Sequence, residues 1–146
     1  MRTYSSPYSR RVLVDSSAYF ALADRRSPDH EQANGIRSRL TAERRSLYTT
    51  NFIAAETHAL VLNRMSSDLA SRVLRSIDES TTTYIRVSWG DEQRAREIIR
   101  TYDDKDFTLT DATSFAVMER LRIGSAFTFD RHFAQYGFAV LGLEEP

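Results

Sequence analysis

Four carboxylates stand where the chain passes from one local pattern to another. Asp15 follows the apolar run Val12-Leu13-Val14 and precedes Ser16 and Ser17. Asp130 follows Phe127-Thr128-Phe129, Glu56 lies inside the apolar helical stretch Phe52 to Asn63, and Asp111 opens the apolar stretch Leu109 to Leu121. Carboxylates gathered in one pocket repel one another unless cations sit between them. An all-oxygen ligand set selects a hard divalent ion, Mg²⁺ or Mn²⁺. Such an ion holds a phosphodiester, lowers the pKa of a water and stabilises a leaving oxygen, so hydrolysis needs no protein nucleophile. The chemistry therefore turns on whether the fold brings Asp15, Glu56, Asp111 and Asp130 to one place.

Each acid also has an ordinary role open to it. Asp15 and Asp130 suit helix caps or turns after a strand. Asp111 suits the first turn of a helix, where the dipole favours an acid. Asp103, Asp104 and Asp106 read as a solvated acidic loop. Glu56 is the hardest to explain as surface. Phe52, Ala59 and Leu60 are its neighbours on one helical face, which puts it on or beside a buried stripe. An unpartnered carboxylate there is costly.

The elements that must position these residues follow from periodicity and punctuation. Arg11 to Val14 reads as a short strand covered on both faces, and Ser16 to Ala23 as a helix. Pro28 suits a helix start, so a surface helix is expected from about Asp29 to Arg44. Leu47 to Thr50 reads as a strand, with Asn51 capping the helix Phe52 to Asn63. Ser66 or Ser67 caps a helix from Asp68 to Ile77. Thr81 to Val87 reads as a strand, and Ser88 starts another helix. The helix Leu109 to Leu121 is expected to end at Gly124. Ala126 to Phe129 and Phe138 to Leu141 read as the last strands. Strands alternating with helices argue for an α/β fold with a mostly parallel sheet. In such sheets function gathers beyond the carboxyl ends of the strands, where Asp15 and Asp130 stand.

Composition narrows the classes. At 146 residues the chain has the size of one domain. With no cysteine, disulfides, thiolate metal sites and cysteine nucleophiles are excluded, and a reducing cytoplasm is the expected location. No apolar run reaches the roughly 20 residues of a membrane span. The net charge is 0, which weighs mildly against gripping nucleic acid along the whole surface. Every basic residue except Lys105 is arginine, a skew that codon usage alone also produces. Arg25, Arg26 and Arg131 are placed to hold a nucleic-acid backbone, although charged loops are usually just solvated. His30, His58 and His132 show no metal-ligand spacing. His132 could touch a phosphate, with a surface or capping role equally open. There is no Gly-rich phosphate loop, and Ser16 and Ser17 lack a nucleophile-elbow setting.

The stretches Val12-Leu13-Val14-Asp15-Ser16-Ser17-Ala18, Ile53-Ala54-Ala55-Glu56, Leu109-Thr110-Asp111-Ala112-Thr113-Ser114-Phe115-Ala116 and Phe127-Thr128-Phe129-Asp130-Arg131-His132-Phe133 resemble the successive motifs of PIN-domain nucleases. The subgroup they resemble is that of VapC-type toxins of toxin–antitoxin modules. The likeness runs from about Arg11 to Leu143. It implies a three-layer α/β/α PIN-like fold over residues 11–146 and a Mg²⁺- or Mn²⁺-dependent endoribonuclease. It also implies an RNA substrate, a small antitoxin partner and a homodimer, with the helices near Asp29–Arg44 and Phe52–Ile77 forming a groove for the antitoxin. The family's four acids match Asp15, Glu56, Asp111 and Asp130. Its hydroxyls match Ser17 and Thr128, and a further acid matches Asp104 by spacing. Met1 to Arg10 is a departure from the family pattern, expected to be a flexible tail. Two other readings stay open: a non-catalytic PIN-like module binding RNA or protein, and a nuclease acting on DNA.

Overall fold

Val12, Leu13 and Val14 are buried to within 3% of complete, which requires cover on both faces of the strand they form. The computed structural model, which describes residues 7–143, supplies it. The strands are β1 (Arg11–Val14), β2 (Ser46–Thr50), β3 (Thr83–Ile85), β4 (Ser125–Phe127) and β5 (Ala139–Leu141). They form one sheet in the order β3-β2-β1-β4-β5, and every pairing is parallel. The helices are α1 (Ser16–Ala23), α2 (His30–Ala42), α3 (Asn51–Arg64), α4 (Ser67–Glu79), α5 (Trp89–Thr101), α6 (Leu109–Leu121) and α7 (His132–Tyr136).

Alternation along the strands divides the core into two layers. Leu13 and its register partner Ala126 face Ile53, Ile98, Phe115 and Phe133, from α3, α5, α6 and α7. Val12, Val14 and Phe127 face Ala18, Ala33, Ile36 and Leu40, from α1 and α2. The result is the expected α/β/α sandwich. The chain winds outward from β1 through β2 to β3, then crosses back to place β4 on the other side of β1. The carboxyl ends of β1 and β4 thus diverge from adjacent positions, the switch point where open α/β sheets bind their ligands.

Several local expectations need correction. Thr50, not Asn51, caps α3: its Oγ1 accepts from Ile53 N at 3.1 Å, while Asn51 Oδ1 accepts from Val87 N at 2.8 Å. That bond diverts the chain after β3, so the strand is shorter than Thr81 to Val87. Helix α6 ends at Arg122, not Gly124. Arg122 adopts the left-handed conformation (φ 55°), and Ile123 N bonds back to Met118 O at 2.9 Å. Both apolar side chains are buried, and their contact stops the helix where no glycine stands. The five-residue α7 has no counterpart in the sequence reading. Of the expected tail, residues 1–6 lie outside the described residues. Pro7–Arg10 forms a single 3₁₀ turn, with Arg10 donating to the carbonyls of Glu43 and Arg44 at the end of α2.

Candidate active site

At the end of β1 the chain must turn into α1, and Asp15 occupies that turn with only 3% of its surface exposed. Its Oδ2 accepts from Thr128 Oγ1 at 2.9 Å and from Ser17 Oγ at 3.2 Å. The two hydroxyls lie 3.0 Å apart, so Thr128, just beyond β4, and Ser17 close a small polar ring with Asp15. Thr128 Oγ1 also accepts from Asp130 N at 3.0 Å, and Ser17 Oγ from Phe129 N at 2.9 Å. One ring therefore ties the end of β1 to the end of β4. Gly142 protects the arrangement. Its φ is +127°, and a Cβ there would fall 2.3 Å from Thr128 O, so no larger residue fits beside this threonine.

The other acids arrive from separate helices. Glu56, half-buried on the second turn of α3, accepts a short hydrogen bond from Ser16 Oγ. The buried stripe of α3 is Ile53, Ala54, Thr57 and Val61, so Glu56 flanks it, with Ala59 on the open side. Ser16 and Ser17 thus serve two different carboxylates, and neither caps α1. Asp111 is buried at the start of α6 by a capping box: Thr108 Oγ1 accepts from Asp111 N, and Asp111 Oδ2 accepts from Thr108 N, both at 3.0 Å. Asp130 Oδ1 accepts from His132 N at 2.9 Å and so starts α7. That turn aims the His132 ring inward, with Nδ1 2.7 Å from Asp111 Oδ2 and 3.3 Å from Asp130 Oδ1.

The acids feel one another. Burial pushes the Asp15 carboxyl up to about 7, against hydrogen bonds from Thr128 and the Ser16 backbone that lower it, and the charges of Glu56 and Asp111 raise it further. Glu56 is raised by burial and by Asp111 and Asp130, with Ser16 opposing. Asp111 is raised by burial and by Asp130, with Thr108 and His132 opposing. The fold brings all four carboxylates into one electrostatic cluster at the switch point. The Asp104 side chain is exposed, 3.6 Å from Lys105 Nζ.

Ser16 and Thr108 join the site although the sequence reading gives them no part in it, and His132, read there as a possible phosphate contact or a surface or capping residue, bonds Asp111 instead. Thr108 carries a readable signal, the Thr-x-x-Asp box. His132 carries none, because its partner Asp111 lies 21 residues away on another helix. One donor atom each from Asp111, Asp130 and His132 lie within 4.8 Å of one another, close enough to share a cation. Oxygen donors dominate the cluster, which fits a hard divalent ion.

A parallel sheet with convergent carboxylates at its switch point defines a class, that of α/β proteins built around an acid-lined cation site. The family model for the PIN domain matches residues 12–139, and the chain belongs to that family. It is 33% identical over 129 residues to the 23S rRNA-specific endonuclease VapC20 of Mycobacterium tuberculosis, covering 87% of this chain and 95% of that protein. It is 25% identical over 124 residues to ribonuclease VapC26 of the same organism, covering 84% and 90%. The crystal structure of VapC20, described as a sarcin-ricin loop cleaving toxin, superposes with a TM-score of 0.80 at 28% identity over 88% of this chain and 96% of that one. FitAcB from Neisseria gonorrhoeae shares the fold, with a TM-score of 0.65 at 14% identity over 89% and 96% of the chains.

Proposed function

We propose that this protein is a divalent-metal-dependent endoribonuclease acting as the toxin of a toxin–antitoxin pair. The observation that carries the reading is the gathering of acids at the junction of β1 and β4, where the Ser17–Thr128 ring holds Asp15, Ser16 holds Glu56, and Asp111, Asp130 and His132 bring donor atoms within 4.8 Å of one another. Mg²⁺ or Mn²⁺ is the ion whose donor preference matches these oxygens. When bound, it acidifies water and neutralises charge developing on the phosphate.

The protein's share is placement. Asp15 and Asp111 are the main ligands, because both are buried and held in fixed orientations by hydroxyls and backbone. Glu56 and Asp130 are more exposed, and they complete the ligand set or orient water toward phosphorus. The Ser17–Thr128 ring holds one oxygen of Asp15 and leaves the other for the ion. Because VapC20 is a 23S rRNA-specific endonuclease that cleaves the sarcin-ricin loop, a hairpin RNA copying that loop is the first probe. Wild type with Mn²⁺ should cut it at a defined position, and Asp15→Asn or EDTA should abolish the cut. Equal cleavage by Asp15→Asn overturns the reading, and cleavage of the matching DNA hairpin alone would move the substrate to DNA.

For the antitoxin, an apolar cavity of about 380 Å³ lies between α1, α2 and α4, with Leu22, Leu40, Val73, Ile77 and Phe127 on its walls. It fits the apolar face of a partner helix, and co-purification with the product of an adjacent small reading frame tests this. We further propose that the toxin is a homodimer in the cytoplasm, checked by sedimentation and by fractionation. No helix among the described residues is long and apolar enough to cross a membrane.

A further inference from the structure

The α1–α2 connection and the α3–α4 turn enclose a cleft with an unusual charge for a neutral protein. It consists of two adjoining concavities of about 560 and 790 Å³ that share Asp24, Arg26 and Arg64 on their walls. The first abuts the acid cluster at Ser17 and Phe129, which line it and are tied to Asp15 through the Ser17 hydroxyl. The second runs outward past Arg25 and Arg72. Four arginines and two aspartates, Asp24 and Asp29, thus line the two concavities, whose inner end is Ser17, a hydrogen-bond partner of Asp15. Asp24 Oδ1 accepts from the Arg26 backbone at 3.0 Å, so part of its hydrogen-bonding capacity is used within the turn. Arg72 pairs with Asp68 at 3.0 Å, but both side chains are well exposed, so the pair is weak and exchangeable. The Arg64 guanidinium lies 5.6 Å from the centroid of the Phe20 ring, which holds it over the cleft and leaves its planar edge of donors for an anion.

We propose that this cleft is the track for the phosphate backbone of the RNA on one side of the scissile bond, with Arg26 and Arg64 at its centre and Arg25 and Arg72 farther out. The assignment rests on the ribonuclease reading above for the identity of the polyanion, and on its own geometry for the path. Phosphate contacts of this kind fix register without reading sequence, and arginine provides the bidentate geometry they need. They also leave a signature that a structural role does not, because each phosphate contact releases counterions and contributes about 0.7–0.9 to the slope of log affinity against log salt.

The test measures binding of the fluorescein-labelled sarcin-ricin hairpin in EDTA to Asp15→Asn protein, which should not cut it. Adding Arg26→Ala and Arg64→Ala should weaken binding roughly tenfold or more, the scale of charge-assisted hydrogen bonds. It should also reduce the salt slope by about 1.4–1.8, two contacts' worth. Arg100→Ala, which removes an exposed arginine of α5 elsewhere, should change neither quantity. In otherwise wild-type protein, Arg26→Ala/Arg64→Ala should keep the thermal shift given by Mn²⁺, which shows that the fold and the acids are intact. Parental affinity and slope in the double variant overturn the cleft, as does an equal loss from Arg100→Ala. If wild type cleaves no RNA but the arginine pair still sets affinity and slope, the cleft stands and the nuclease reading falls. If the hairpin does not bind at all, the cleft falls, and cleavage by wild type judges the nuclease separately.

Discussion

His132 Nδ1 lies 2.7 Å from Asp111 Oδ2, joining the first residue of α7 to the capping box of α6. The same nitrogen is 3.3 Å from Asp130 Oδ1, so one ring sets the separation of two proposed ligands. With its proton on Nδ1, the ring donates to Asp111 and orients that carboxylate. Partners that orient ligands are commonly worth 10- to 100-fold in activity or metal affinity. His132→Ala should therefore lower cleavage by about that factor. The KM for RNA should move little, because the loss is in placement of the acids. A KM rise with unchanged kcat would instead place His132 on the substrate.

Thr128 is fully buried and serves Asp15, Ser17 and the backbone of Asp130 with one hydroxyl. Thr128→Val keeps the shape and removes those bonds, leaving Asp15 Oδ2 with Ser17 alone and the Asp130 amide without its acceptor. The expected cost is about 1–3 kcal/mol of stability. The hydrogen bond from Thr128 lowers the Asp15 pKa. Its removal should therefore raise that pKa and move the acidic limb of the cleavage profile to higher pH. Thr128→Ser, which restores the hydroxyl, should return the limb toward its original position. A pH–rate series across the three proteins checks this.

The raised carboxyls give the metal-free protein a defined pH dependence. Asp15 titrates near 3.8 in the unfolded chain and about 7 in the fold, so between those values the native state holds more protons than the unfolded state. Stability from this group is complete below pH 4 and is lost as pH rises toward and through 7. Glu56 and Asp111 are shifted in the same direction and reinforce the trend. In EDTA, melting temperature should fall between pH 5 and 8, while the stabilisation given by Mn²⁺ grows over the same range, because protons no longer compete for the ligands. Asp15→Asn cannot ionise. In EDTA at pH 8 it should melt higher than wild type, although it is inactive. A lower melting temperature for Asp15→Asn would contradict the repulsive cluster.

These relationships mark how far the sequence is legible. Asp15 and Asp130 are readable because each ends a short apolar run, and a parallel sheet collects its strand ends at one edge. Glu56 is readable as an acid beside apolar neighbours, yet its partner Ser16 is 40 residues away and nothing local names it. The stripe Ile53, Ala54, Thr57 and Val61 was misassigned by one helical face, because Phe52 and Leu60 are apolar but only half-buried. Asp104 matches the family by spacing, and its part in the site depends on the conformation of an exposed loop, which spacing does not encode. Helix α7 is five residues long, too short to show a period, so the turn that brings His132 onto Asp111 was invisible. Arg25 and Arg26 are readable as residues that could hold a nucleic-acid backbone, but Arg64, at the end of α3, joins them only through tertiary packing, so the cleft as a whole is not legible.

Two Ser/Thr-x-x-Asp capping boxes form among the described residues, and only tertiary placement separates their uses. Asp91 closes a capping box with Ser88 as Asp111 does with Thr108. Asp91, however, meets Arg120, whose Nε and Nη2 each donate at 2.8 Å. Burial would raise the Asp91 carboxyl, but Arg120 and Ser88 together hold it below the usual range. Its contribution to stability is therefore present at neutral pH and lost as pH falls below about 4, opposite in sign to that of Asp15. Asp91→Ala should cost about 1–3 kcal/mol at neutral pH, from a lost cap and a lost charged pair. The deficit should shrink in acid. Arg120 is partly exposed and reaches water once released, which keeps the cost from rising further. The Mn²⁺-induced thermal shift should be unchanged in Asp91→Ala and absent in Asp111→Ala. Melting both variants with and without Mn²⁺ separates the acid that holds the fold from the acid proposed to hold the ion, and a lost shift in Asp91→Ala would undo that distinction.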